Sequence, residues 1–369
     1  MSDAIKINKG IEEAVQDLLK SLLEKDKIKG VFTLRKMDDL GAVAYSLFTN
    51  ADELKNALPL YPFMPVNAGK VLSDFTLQGA TQEPVAAVLR PCEIRAFIEL
   101  VKRTQGDLEN ILLISSTCGG VYPLKILKGN DQKSRQAQYW ESVKKEDIDP
   151  ELRETCRMCE DFIPHNADMV IAAAGIEDMD TQCTIYLNTQ KGKEFASDVP
   201  GSKTSEELEG GKIEELKTKR QEQKAKIFEQ FEKEQMGLKS LVKMFAPCLG
   251  CHGCSHVCPI CYCTLCEFDS KTCEYRPTSI ESELKLKGGL KVPPGNIYFH
   301  LGRMSHMAVS CVSCGMCSDV CPVNIPVATV FSRVGAPLQE VFEYIPGRDL
   351  EEAVPSGTYK EQEFMESGK

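Results

Sequence analysis

No apolar run in the sequence approaches the roughly 20 residues needed to cross a bilayer, and Met1 to Gly10 holds no signal-peptide core. These two gaps make a soluble cytoplasmic protein without a membrane span the expectation. Positive charge is also short. The 44 Lys and Arg against 54 Asp and Glu leave a formal charge of -10, which argues against nucleic acid as a partner. Without an export signal, the 17 cysteines are not expected to pair as disulfides, because cytosolic thiols stay reduced and bind metal or do chemistry. With 369 residues, the chain has room for about two domains with cores of their own.

Eight of those cysteines form two copies of one signature. The first is Cys248-x2-Cys251-x2-Cys254-x3-Cys258-Pro259, and the second is Cys311-x2-Cys314-x2-Cys317-x3-Cys321-Pro322. This is the spacing of a bacterial-type ferredoxin with two 4Fe-4S clusters, in which three close thiolates hold one cluster and the fourth crosses to the other. Crossed ligation puts one cluster on Cys248, Cys251, Cys254 and Cys321, and the other on Cys311, Cys314, Cys317 and Cys258. A zinc ribbon would use two separated pairs of ligands instead of four cysteines in one run.

The amino-terminal half alternates helical and strand patterns. Ile11, Ala14, Val15, Leu18, Leu19, Leu22 and Leu23 mark one buried helix face. Val31–Leu34, Gly41–Phe48, Val85–Leu89, Ile111–Ser115, Met169–Ala174 and Thr184–Leu187 are strand candidates, and Asp52–Leu58 has helical composition. The alternation predicts a layered α/β domain with a largely parallel sheet. Asp198–Lys212 reads as a flexible connection. Ile213–Phe245 reads as a helix whose charges, among them Lys217, Lys219 and Arg220, make a solvated face. The domain boundary falls in this segment. The expected division is therefore an α/β domain at 1–195, a linker and charged helix at 196–245, a ferredoxin-like domain with an insertion at 246–345, and a tail at 346–369.

Cys92 and Cys118 each directly follow a strand candidate, so parallel neighbouring strands would bring them together at the carboxyl edge of the sheet, where open α/β folds bind ligands. Cys156-x2-Cys159 supplies a further pair of sulfurs. Spacing alone leaves a shared metal site and separate buried thiols both open. Arg90-Pro91-Cys92-Glu93-Ile94-Arg95-Ala96 resembles the PCQ-type segment of the beta subunits of deazaflavin-coenzyme-reducing hydrogenases and formate dehydrogenases. Cys156-Arg-Met-Cys159-Glu-Asp161-Phe162, followed by Asn166-Ala167-Asp168, resembles that family's CxxCxDF...AD segment. The resemblance covers roughly residues 8–190. It implies a third 4Fe-4S cluster on Cys92, Cys118, Cys156 and Cys159, and a flavin (FAD or FMN). The chain departs from the family at Glu93, where a carboxylate would repel a flavin phosphate. The family's glycine-rich flavin segment survives only around Gly10, which could let a phosphate approach the N–H groups of a helix start.

Between the two signatures, Cys261, Cys263 and Cys266, with Cys273 seven residues on, have the number of thiols for a zinc site or another iron-sulfur cluster. Cys183 has no partner by spacing and reads as structural. His252 and His256 lie within a complete set of cysteines and read as second to them. Taken together, the cysteine groups and the resemblance to those beta subunits imply an electron-transfer subunit of a larger cytoplasmic redox complex. It would relay electrons between a hydride-, hydrogen- or formate-linked partner and a heterodisulfide-reductase-like or similar acceptor. Since the chain has no nickel-site or molybdopterin signature, the catalytic metal is expected on another subunit. The alternative is a flavin-free iron-sulfur adaptor between partner subunits.

Overall fold

The computed structural model describes residues 2–37, 42–127, 132–176, 178–206, 208, 210–235, 237–270, 276–289 and 295–357. In the first part, β1 (Ser2–Ile7) leads into α1 (Ile11–Glu24), β2 (Gly30–Lys36) and β3 (Val43–Phe48). Next come α2 (Ala68–Phe75), β4 (Val85–Val88), α3 (Pro91–Val101), β5 (Ile111–Ser116) and α4 (Gln132–Lys144). Then α5 (Glu154–Arg157), β6 (Met169–Ile171), β7 (Cys183–Leu187), α6 (Gln190–Phe195), β8 (Ser202–Glu206) and α7 (Gly211–Gln235) complete it. Among the described residues these strands make one eight-stranded sheet in the order β3-β2-β4-β5-β6-β7-β1-β8.

Alternate side chains of the central strands feed two cores. Val31, Ala86, Leu112 and Ile114 pack on one face with Val15, Leu18 and Leu19 of α1. Phe32, Ala87, Ile111 and Leu113 pack on the other with Leu72 of α2 and Ile94 and Phe97 of α3. Burial on both faces explains why β4 and β5 are unbroken apolar runs.

The sheet is mixed, which corrects the largely parallel expectation. β2–β4, β4–β5 and β5–β6 run parallel, whereas β2–β3, β6–β7, β7–β1 and β1–β8 run antiparallel. Two strands were not foreseen, β1 and β8, and β8 lies inside the segment expected to be a flexible connection. Its sequence, Ser-Lys-Thr-Ser-Glu, has no apolar alternation, since it is an edge strand held by the β1 backbone. Asp52–Leu58 is not an α-helix but contributes to a 3-10 turn (Ala51–Asn56) capped by the Asn50 side chain. Gly41, at the start of one expected strand, lies outside the described residues.

The expected single helix at Ile213–Phe245 is two helices. α7 is followed by α8 (Leu238–Phe245) after Gly237, whose φ of +90° stops the first. Ile213 and Leu216 of α7 are buried in the α1-side core, so α7 begins as part of the α/β layer. The carboxyl-terminal part comprises α9 (Gly253–His256), α10 (Pro277–Lys287), α11 (Asn296–Met307), α12 (Met316–Asp319) and α13 (Val327–Val341). Its core holds Phe245, Met304, Met307, Val330 and Phe331, with cysteines of both signatures packed against it.

Candidate metal centres

The two signatures fold alike. In each, the second residue after the first cysteine is left-handed (Gly250, φ +65°; Ser313, φ +54°), and so is the fourth (His252, φ +54°; Gly315, φ +82°). Each signature then enters a one-turn helix, α9 or α12. Repeated turns of this kind swing consecutive sulfurs toward one point.

Cys321, not Cys258, lies with the first three cysteines of the first signature. Cys248, Cys251, Cys254 and Cys321 line one pocket with His252, Phe299 and His300. Cys258 lies instead within electrostatic reach of Cys311, Cys314 and Cys317. Backbone N–H groups donate to sulfur in the first group, from Gly250 to Cys248 Sγ at 3.4 Å and from Ile325 to Cys321 Sγ at 3.3 Å. His252 sits beside the pocket, bonded to Asp269 at 2.7 Å and stacked on Phe299.

The third group also converges. β4 and β5 are parallel neighbours, so Cys92 at the start of α3 and Cys118 after β5 share the carboxyl edge of the sheet. Cys92 is within electrostatic reach of Cys118 and Cys156, and Cys156 is near Cys159. Burial pushes the Cys159 thiol up to about 12, against the pull of Arg220 and Arg95.

Arg220 is the residue the charge pattern concealed. Expected on a solvated face, it is 2% exposed and donates to the carbonyls of Cys118 (3.0 Å), Gly119 (3.1 Å) and Cys159 (3.3 Å). Its guanidinium lies 4.5 Å from the centre of the Phe162 ring. Spacing rules could not have found it, because those carbonyls belong to loops as much as about a hundred residues away.

This third group adjoins the second. Cys92, Cys156 and Cys314 pack around Met64, Val121 and Met316. The two parts are clamped there by Arg153 and Asp319, paired at 2.5 Å with side chains only 4% and 3% exposed. Arg153 also donates to the Met64 carbonyl at 2.8 Å, and both Asp319 oxygens accept from the Leu124 N–H at 3.0 Å. A side chain at Gly315 would meet Thr155 Oγ1 at 2.4 Å, so that left-handed position must stay bare for the parts to close. Beside it, Arg95 bridges Asp161 (3.0 Å) and the Val312 carbonyl (3.2 Å).

These residues fit buried anionic clusters. Arg95, Arg153, Arg220 and Arg303 are all buried, and the Nε of each has no hydrogen-bond partner among the described residues. Arg303 lies between the two signature groups and donates to Cys254 Sγ at 3.1 Å.

The places suggested for a flavin do not fit one. Gly10 packs against its own chain. A Cβ there would be 2.8 Å from the Asp180 carbonyl, and the N–H of Ile11 already donates to the Met179 carbonyl at 2.8 Å. The glycine is needed for that contact, and the Ile11 N–H is not free for the phosphate that the sequence suggested. Glu93 faces inward as well. Its carboxylate accepts from the Tyr45 hydroxyl, the N–H groups of Ala68 and Arg90, and the Arg90 guanidinium. The cavity beside Pro91 and His165 is about 200 Å³, below the usual range of roughly 300–1,000 Å³ for cofactor sites.

Cys183 is buried in β7, 1% exposed, in keeping with a structural role. Cys261, Cys263 and Cys266 line one cavity. Cys273 lies outside the described residues.

Together these features define a mixed α/β protein whose carboxyl-terminal helices carry two cysteine signatures of ferredoxin-type spacing. Residues 82–216 match the family model that describes the C terminus of the coenzyme F420 hydrogenase/dehydrogenase beta subunit, and carry that domain. Along most of its length the chain is similar to two formate dehydrogenase beta subunits. It is 28% identical to the F420-dependent formate dehydrogenase subunit beta of Methanocaldococcus jannaschii, over 91% of this chain and 92% of that protein. To the F420-dependent formate dehydrogenase 1 subunit beta of Methanococcus maripaludis it is 29% identical, over 93% of this chain and 92% of that one. A solved structure of the F420-reducing [NiFe] hydrogenase complex from Methanosarcina barkeri contains a loosely similar chain, with 13% identity and a TM-score of 0.40 over 64% of this chain and 92% of that one.

Proposed function

We propose that this protein is the electron-transfer beta subunit of a formate dehydrogenase- or hydrogenase-type complex, carrying three 4Fe-4S clusters. The observation that supports this most is the grouping of twelve thiols into three sets in series. Cys92, Cys118, Cys156 and Cys159 stand against Cys258, Cys311, Cys314 and Cys317, which stand against Cys248, Cys251, Cys254 and Cys321. Clusters held there would accept and pass single electrons. The chain's own part is to hold the three sets at fixed spacing through the Arg153–Asp319 clamp and to surround the sulfurs with buried guanidinium groups. The partner would be a formate- or hydrogen-oxidising subunit, and the acceptor a separate redox protein such as a heterodisulfide-reductase-like flavoprotein. No helix among the described residues is long and apolar enough to cross a membrane.

The relay is proposed without a resident flavin, since Gly10 and Glu93 are both engaged within the protein. The test is anaerobic purification with iron, sulfide and flavin analysis of the native chain and single serine variants. Cys92→Ser, Cys251→Ser and Cys314→Ser should each remove about four irons, while Cys183→Ser removes none. A chain without iron would sink the relay, and one bound flavin per chain would restore a hydride step to it.

A further inference from the structure

Among the described residues, three thiols remain outside the twelve that make up the relay and outside the buried Cys183. Cys261, Cys263 and Cys266 all line one cavity of about 430 Å³, more than twice the cavities of about 190 and 200 Å³ elsewhere on the chain. Its walls include the rings of Phe268 and Phe299, and cationic Lys70, Arg103 and Arg303 also face it. Arg303 is 2% exposed, and its Nε has no partner among the described residues. A buried cation with a spare donor at a cavity wall favours an anionic occupant.

The spacing of the thiols decides what kind of metal centre suits them. Among the described residues, no three His, Cys, Asp or Glu side chains stand close enough to hold a single metal ion. Zinc holds its sulfurs at about 2.3 Å, so three thiolates on one zinc ion must crowd to within roughly 4 Å of each other. Thiols spread around a larger cavity match a centre with width of its own. The twelve relay thiols likewise form no ion-sized group. Cys261 also lies beside the relay, since its thiol is within electrostatic reach of Cys258 and donates to Met307 Sδ at 2.8 Å.

We propose that this cavity holds a further iron-sulfur cluster, bound at three corners by Cys261, Cys263 and Cys266. It would lie beside the cluster that Cys258 serves, as a fourth centre additional to the three of the relay.

The test uses the full chain purified without oxygen. The native protein should carry about 16 irons and matching sulfide with no zinc, and Cys263→Ser/Cys266→Ser should carry about 12. One zinc lost in place of four irons, or an unchanged iron count, overturns the proposal. A count in the double variant well below 12 would show that the relay groups had failed as well. In that case alkylation of the native chain decides the matter. Cys263 is exposed, so as a free thiol it should react with iodoacetamide at once, which would overturn the assignment. Protection of Cys263 until iron is chelated upholds it.

Discussion

Replacing Arg220 separates a surface charge from a buried one most sharply. Its guanidinium makes three hydrogen bonds, of 3.0, 3.1 and 3.3 Å, and one ring contact at 4.5 Å, all beneath α7. A hydrogen bond contributes about 1 kcal/mol net, and a cation over a ring about 0.5–1 kcal/mol. Arg220→Ala should therefore cost about 3–4 kcal/mol, the carbonyls of Cys118, Gly119 and Cys159 being left without their donor. Arg220→Lys keeps the charge but loses the planar fork, and should recover only about a third of that. Anaerobic urea denaturation followed by circular dichroism gives the loss, and electron paramagnetic resonance (EPR) of the reduced protein shows which cluster signal broadens. The signal from the Cys92 group should change and the other two should not. An arginine on a solvated face would move stability by less than about 0.5 kcal/mol. A loss of that size, or equal losses for Ala and Lys, would refute the reasoning.

Four other perturbations probe the joint and the metal. Asp319→Asn leaves Arg153 buried without its counter-charge and should cost about 3 kcal/mol in thermal or chemical melts; no change would mean that the Met64 and Cys314 carbonyls satisfy Arg153 by themselves. Glu99 ties α3 to the returning chain through the Tyr344 hydroxyl and the Gly347 N–H, and it also pairs locally with Arg103. Burial works against its charged form, yet Tyr344, Arg103 and Lys102 hold the carboxyl below its usual 4.5. A carboxyl that ionises more readily folded than unfolded adds stability above about pH 4.5, and loses it as pH falls through the lowered value. Limited proteolysis near Tyr344 should speed up on acidification below that pH, and Glu99→Gln should flatten the dependence. Gly347 has φ +69°, and a Cβ there would stand 2.2 Å from the Arg95 carbonyl; Gly347→Ala should free the same segment to protease at neutral pH, at a cost of about 2 kcal/mol or more. Iron removal by an anaerobic chelator should lower the melting temperature, and Cys92→Ser should lower it by part of that amount.

What could be read in advance was what is local in the chain. The two signatures carry their ligand spacing within eleven residues each, and the turn that uses it is set by four left-handed positions in the same short stretches. The apolar runs at β2, β4, β5 and β7 were visible because both faces of the sheet are covered. The edge strand β8 was not, since its hydrogen bonds come from β1, some two hundred residues earlier, and its side chains need no pattern. Glu93 misled for a related reason. It caps α3 by accepting from the Arg90 N–H, and its other partners come from Tyr45 and Ala68, so a carboxylate that looked poised to repel a phosphate is spent on the fold.

The placement of charge argues that fold and metal depend on each other. The chain as a whole carries a formal charge of -10, yet the side chains beside its cysteines are cations: Arg95, Arg153, Arg220 and Arg303 are 9%, 4%, 2% and 2% exposed. Burial pushes the Cys159 and Cys314 thiols up to about 12 each, so without metal those two sulfurs are neutral at ordinary pH. Arg153 and Arg95 keep the carboxylates of Asp319 and Asp161, but Arg220 would then stand in a low-dielectric interior against a thiol that carries no charge, which is costly. Iron takes the thiols as thiolates, and the same cations then face negative sulfur. A chain that buries Arg220 against its cysteines therefore gains stability from the metal twice, once through the bonds to sulfur and once through relief of that interior charge.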